Sequence, residues 1–220
     1  MSRAPVPGTL QLFRLLFPQL AVFTYVHTLR RVLRDCSDCL DVGCGASSPT
    51  RFVNLMHTVG VDAHPPTLAQ ARAHRTHDDL RPIPAQEIDR YFPEASVDCV
   101  VALDLIEHLT KEEGVALIAA MERIARKKVV LFTPNGYLHQ LSHEGDLQEH
   151  RSGWNVEEME RLGFRVVGMH GCRALRGEQH RLRIRPRLLG GLLAVASHHL
   201  YTRTHPDRAA ALLCIKDRTA

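Results

Sequence analysis

The sequence predicts a doubly wound α/β fold, and three observations predict it. Strand-like and helix-like patterns alternate along the chain. Val97 to Leu103 is an almost continuously apolar run, as in a parallel strand covered on both faces. Leu40 to Ala46 reads as a buried strand running directly into a glycine turn.

Residues 8–34 read as helix. Leu12, Leu15, Leu16, Gln19, Leu20, Phe23, Val26 and Leu29 follow a helical stripe, with Pro18 as a kink. This helix is either a lid or packing for the core. Residues 39–44 are the first strand. A short helix starts near Ser47 to Pro49, where serine caps and proline suits the first turn, and it ends by about Asn54. Residues 58–62 are the second strand, and Pro65 to Arg75 the second helix. A short third strand is expected near Leu80 to Ile83, beside Pro82 and Pro84. After the fourth strand, Val97 to Leu103, come a helix over Lys111 to Ala125 and a fifth strand, Lys128 to Thr133, ended by Pro134-Asn135-Gly136. Asn155 caps a helix over 156–162 that closes at Gly163. Phe164 to Met169 and Ala211 to Ile215 are the last two strands.

The 220 residues suit one substantial core. Residues 1–34 form an N-terminal helical segment. Residues 35–220 form the main domain, with insertions at 137–155 and 172–209, longer than ordinary loops and suited to binding work. No apolar run approaches the roughly 20 residues that span a bilayer, and no secretory signal pattern opens the chain. The expected location is cytoplasmic. Cys36 and Cys39 make a lone CxxC with no second pair, so the six cysteines are read as free thiols, not as a zinc site or a disulfide framework.

The net charge of +4 conceals an asymmetry. Residues 1–34 hold five basic residues and no acid, residues 35–169 hold 13 basic and 21 acidic, and residues 170–220 hold ten basic and three acidic. Basic flanks either attract phosphate-bearing substrates or an anionic membrane face, or form a solvated arginine-rich surface. The arginines and leucines of 185–204 allow the same two readings: peripheral contact with the inner membrane face, or packing between the last two strands.

Four features fall at strand ends, where open α/β sheets bind ligands. The Asp41-x-Gly43-x-Gly45 turn suits a ligand carrying both an ammonium and a carboxylate. Asp62 closes strand two, where an acid accepts hydrogen bonds from ribose hydroxyls. Asp79, or its neighbour Asp78, lies near the third strand. Asp104 follows strand four and leads into Leu105-Ile106-Glu107-His108-Leu109. Each is weak singly; in this order they are specific.

These motifs, LDVGCG (40–45), VGVDAH (59–64), VDCVVALDLIEHL (97–109) and VVLFTPNG (129–136), with EHRSGWNVEEMERLGFRVVG (149–168), resemble those of class I S-adenosylmethionine-dependent methyltransferases. This is the Rossmann-like group, and the sequence looks most like its small type 11-like bacterial members. The resemblance covers about 35–171 and the strand near 211–216. It implies a seven-stranded sheet in the order 3-2-1-4-5-7-6, with strand seven antiparallel. It implies S-adenosylmethionine as cofactor. Gly43 and Gly45 would pass under its methionine part, with Asp41 near the amino group. Asp62, beside Ala63, would hold the ribose, and Asp79 would be the adenine-side acid, with Pro84 or Ala85 as the alternative occupant. Asp104 and Leu105 would floor the site beside the sulfonium. The family's usual third glycine-like position is filled here by Ala46-Ser47-Ser48.

The expected reaction is methyl transfer to an O or N nucleophile of a small-molecule, glycan or lipid-linked acceptor. A hydroxyl acceptor wants a base near neutral pKa. The candidates are His108, which could equally brace the next helix, and His143 and His150 in the 137–155 segment. Trp154 either stacks on a planar substrate or anchors the following helix. His139 and His143 are four apart, but the neighbouring glycines argue against a metal there, and no metal is expected. A nucleic-acid acceptor is not expected either: no Asn/Asp-Pro-Pro-Tyr/Phe signature follows strand four, and the basic residues lack interleaved aromatics. Two competing functions are a nicotinamide-dependent oxidoreductase and a cofactor-binding partner protein without catalysis.

Overall fold

The structure, a computed structural model, describes residues 24–138, 149–176, 184 and 187–218. Its strands are β1 (Asp38–Val42), β2 (His57–Val61), β3 (Asp79–Arg81), β4 (Val97–Leu103), β5 (Ala125–Pro134), β6 (Arg165–Cys172) and β7 (Ala209–Asp217). They form one sheet in the order β3-β2-β1-β4-β5-β7-β6. β3, β2, β1, β4 and β5 run parallel. β7 lies antiparallel between β5 and β6. This is the α/β Rossmann-like arrangement that the motifs imply.

Alternation along the strands sorts side chains to two faces. Leu40, Val42, Val100, Ala102, Val129 and Leu131 bury one face against α4 (Lys111–Ile124) and α5 (Val156–Arg161). Cys39, Val101, Val130 and Phe132 bury the other against Tyr25, Leu29 and Leu33. Tyr25 and Leu29 belong to α1, helical over 24–32; the rest of the expected helix, 8–23 with Pro18, lies outside the described residues. α2 (Pro65–Ala73) closes a smaller cluster of Cys44, Leu68, Ala71 and Leu80. All six cysteines are free thiols.

Local sequence explains the ends. Thr110 and Glu113 form a reciprocal capping box at the start of α4, and Asn155 and Glu158 do the same for α5. Ser48 caps a short 3₁₀ turn, Pro49–Phe52, in place of a first helix. β3 is shorter and earlier than the expected Leu80–Ile83, because Pro82 has no N–H to continue the ladder. Two elements were not anticipated: α3 (Ile88–Tyr91) and α6 (Arg187–Ser197), the latter continuing into a π-helical turn, His198–Thr202.

α6 and its π turn pack on β6. A Cβ at Gly168 would lie 2.0 Å from the Thr202 carbonyl oxygen, and one at Gly171 would lie 2.2 Å from that of Ala194. Only glycine admits so close an approach. This packing occupies the inward side of α6 and its π turn, whereas Leu189, Leu192 and Leu193 are exposed.

Candidate active site

The carboxyl ends of β1, β2, β4 and β5 converge on one crevice. Asp41, buried near the end of β1, does not face outward. Its Oδ2 accepts hydrogen bonds from the hydroxyls of Ser48 and Thr50, the latter at 2.8 Å, and lies 3.1 Å from His77 Nε2. This network braces the turn that follows. Gly43 and Gly45 sit at φ +67° and +59°, a region costly to other residues. Leu105 covers Gly43: a Cβ there would meet its side chain at 2.6 Å. A Cβ on Gly45 would meet nothing within 4 Å, so that face of the turn is open.

Asp62 follows β2 and ties two loops together. Its Oδ2 accepts the Gly45 N–H at 3.0 Å, and its Oδ1 accepts the His64 N–H at 2.8 Å. Each oxygen keeps a second lone pair for a ligand hydroxyl. Ala63 beside it is exposed.

Asp104 directly follows β4 at φ +55°, a strained conformation for an aspartate. Its backbone N–H donates to the Phe132 carbonyl at 2.9 Å. The residue opens to solvent, yet desolvation by the surrounding crevice raises its pKa to about 6. Below it the Tyr25 hydroxyl is buried with no hydrogen-bond partner. Burial first, then the charges of Asp104, Asp41 and Glu107, push its pKa up. An orphaned hydroxyl among three acids and an open glycine turn fit a cationic ligand with polar groups, as S-adenosylmethionine is. Tyr25 was missed in the sequence; its only signal is its place one turn before Leu29 on the buried stripe of α1.

The expected role of Asp79 needs correction. Asp79 begins β3, paired in register with Val59, and its carboxylate bonds Arg81 Nε at 2.7 Å. The strand ends two residues farther on, at Arg81, and the chain that faces the crevice follows it. The prolines displaced the strand toward the N-terminus and carried the acid away from the crest.

Beyond Asp104 a short 3₁₀ turn, Ile106–His108, carries Glu107 and His108. Glu107 is buried, and its Oε2 accepts from the Thr133 hydroxyl at 3.1 Å. Burial and the Asp104 charge raise its pKa to about 8. The Glu107 carbonyl accepts the N–H groups of Arg151 and Ser152 at 2.8 and 3.0 Å, which brings His150 beside His108. The two imidazole centroids lie 4.9 Å apart at 72°. His108 Nδ1 is 3.0 Å from the Glu149 carbonyl, and His150 Nδ1 is 2.9 Å from that of Leu138. Burial, then His108, lower the pKa of His150. His143 and His139 lie outside the described residues. Glu107 was quoted in the motif but given no role; its signal was its place immediately before His108.

Trp154 is an interior anchor. It is 2% exposed, its Nε1 donates to Ser152 Oγ at 3.0 Å, and Lys111 Nζ lies 3.8 Å from the ring centroid. Gly114 of α4 gives it room.

Residues 40–133 match the family model described as a methyltransferase domain. A comparison with curated proteins finds no match. Among solved structures, the chain is similar to a SAM-dependent methyltransferase from Archaeoglobus fulgidus, at 16% identity and a TM-score of 0.55, covering 88% of this chain and 94% of that one. It is also similar to magnesium protoporphyrin IX methyltransferase from Synechocystis PCC 6803, solved with bound SAM, at 13% identity and a TM-score of 0.51, covering 99% and 87%. A third is phosphoethanolamine N-methyltransferase 2 from Haemonchus contortus, solved with S-adenosyl-L-methionine, at 18% identity and a TM-score of 0.54, covering 86% and 52%. The matched segment holds the Gly43–Gly45 turn, Asp62, Asp104 and His108. Residues 40–133 are therefore similar to a methyltransferase domain, and the sheet they help to form has the strand order of the Rossmann-like methyltransferase fold.

Proposed function

We propose that this enzyme methylates an oxygen or nitrogen of a small molecule, or of a glycan or lipid precursor. S-adenosylmethionine supplies the methyl group, already activated on a sulfonium. The remaining work falls to the chain's own residues: binding, alignment and exclusion of water. Gly43 and Gly45 give the methionine part a close backbone approach. Asp62 and Ala63 receive the ribose, with Asp62 held by two backbone N–H groups so that it needs no reorganisation. Asp104 and Leu105 form the floor, and the Tyr25 hydroxyl faces it from below. Asp41 acts as a positioning residue for the turn.

One observation carries the acceptor side: the His108–His150 pair lies on the turn directly after Asp104 and the segment bonded to it. With both Nδ1 atoms on carbonyls, the Nε2 atoms are left to receive the nucleophile and draw its proton. A small acceptor is supported by charge. The acids Asp41, Asp62, Asp104 and Glu107 surround the crevice. The basic residues Arg31, Arg34, Lys128 and Arg165 line a separate groove at the opposite ends of the strands. A nucleic acid would be repelled by the first arrangement. No helix of the described residues is long and apolar enough to cross a membrane.

The test is transfer of label from methyl-labelled S-adenosylmethionine to fractionated cell extract. Label is expected in the metabolite or lipid fraction and is expected to vanish with Asp62→Ala. Label confined to RNA, or none with either protein, would overturn the reading.

A further inference from the structure

We propose that Glu107, His108 and His150 form a binding site for one divalent transition-metal ion at the acceptor end of the crevice. One ligand atom from each of the three lies within 4.8 Å of the other two. That spacing lets a single ion reach all three with modest side-chain adjustment, since metal–nitrogen and metal–oxygen bonds are about 2.0–2.2 Å.

The imidazoles are oriented as ligands are. A backbone carbonyl only accepts, so the contacts of His108 Nδ1 with Glu149 O and of His150 Nδ1 with Leu138 O place the proton on Nδ1 in both rings. Each Nε2 then presents a lone pair. A carbonyl on the far nitrogen is the usual outer support of a metal-bound histidine.

The carboxylate lacks a cation. Among the described residues, no lysine or arginine pairs with Glu107 or Asp104, and the Thr133 hydroxyl is the one side chain bonded to Glu107. A buried acid such as Glu107, with a second acid, Asp104, beside it and no positive partner, is costly to hold. The donor's sulfonium would compensate Asp104 on the cofactor side, whereas Glu107 lies toward the histidines.

The frame is built before any ion arrives. Glu107 and His108 share one 3₁₀ turn, and the segment bearing His150 is bonded to that turn through Arg151 and Ser152 N–H. Two nitrogens and a carboxylate oxygen suit Mn²⁺, Fe²⁺, Co²⁺ or Zn²⁺ better than Mg²⁺ or Ca²⁺, which prefer oxygen alone. The site stands apart from methyl transfer. Its use, holding an acceptor oxygen and easing loss of its proton, rests on the function proposed above. In that arrangement the imidazoles act on the acceptor through the ion.

The experiment is a titration of chelator-stripped full chain with Mn²⁺, without donor, following the paramagnetic resonance of free Mn²⁺. One ion per chain is expected. His150→Ala and Glu107→Gln are each expected to weaken binding at least about tenfold while retaining a cooperative thermal transition. His108→Gln replaces either variant if it does not fold. No saturable binding by the unaltered chain, or equal binding by the variants, would overturn the site. S-adenosylhomocysteine calorimetry on the unaltered chain reports on methyl transfer separately: its failure alongside Mn²⁺ binding would remove the proposed use and leave the site standing.

Discussion

Asp62 joins two loops through one carboxylate, with Gly45 N–H on Oδ2 at 3.0 Å and His64 N–H on Oδ1 at 2.8 Å. The acid therefore shapes the crevice as well as lining it. Asp62→Ala is expected to lower S-adenosylmethionine affinity at least about tenfold, equivalent to about 1.4 kcal/mol. Asp62→Asn is expected to lie between, because an amide offers one acceptor oxygen in place of two. Calorimetry decides; affinities within about twofold of the unaltered chain would remove Asp62 from the cofactor site.

The Asp41 network should be a stability element. Asp41→Ala leaves the Ser48 and Thr50 hydroxyls and His77 Nε2 without their shared acceptor in a buried pocket. The expected loss is about 2–4 kcal/mol in urea unfolding. A loss below about 0.5 kcal/mol would show that the turn stands without it.

Gly114 and Trp154 are packed to contact. A Cβ on Gly114 would lie 2.6 Å from Trp154 Cζ2. Gly114→Ala gains about 1 kcal/mol of helix propensity, but overpacking a fixed aromatic costs about 1–3 kcal/mol. Net destabilisation is expected. Trp154→Ala should cost about 3–5 kcal/mol, as for a core aromatic, and a surface-like value would contradict its place as an anchor.

Acid stability should depend on Asp98. Burial alone would raise its pKa, but the Ser37 N–H, Lys127 and Arg126 more than reverse this and hold it at about 2. A depressed carboxylate contributes stability above its unfolded pKa near 3.8 and loses it as pH falls toward 2. Asp98→Asn should therefore flatten the fall in melting temperature between about pH 4 and pH 2, and lower stability at pH 7 by about 1–2 kcal/mol. An unchanged acid limb would refute this assignment.

The strands that form the crevice were legible because their neighbours did not alter their local pattern. Val97–Leu103 is covered on both faces, so its apolar run marks both ends. The β1 turn was legible through Gly43 and Gly45, whose positive φ costs other residues more than glycine. β3 was misplaced because strand propensity did not reveal where Pro82 stops the ladder, and Asp79 was misplaced with it. α6 was hidden by an inverted pattern: Gly190, Gly191 and Ala194 face inward while Leu189, Leu192 and Leu193 face out. His108 and His150 were each visible as candidates. Their pairing depends on backbone bonds between segments some forty residues apart, which spacing cannot report.

The antiparallel insertion of β7 has a consequence for how the chain assembles. Lys128 faces Asp217 and Pro134 faces Ala211, so two earlier strands, β5 and β6, are joined only through a partner last in chain order. During synthesis both would wait with open edges, and such edges invite pairing with other nascent chains. Closure from so distant a segment favours slow, late completion of the sheet.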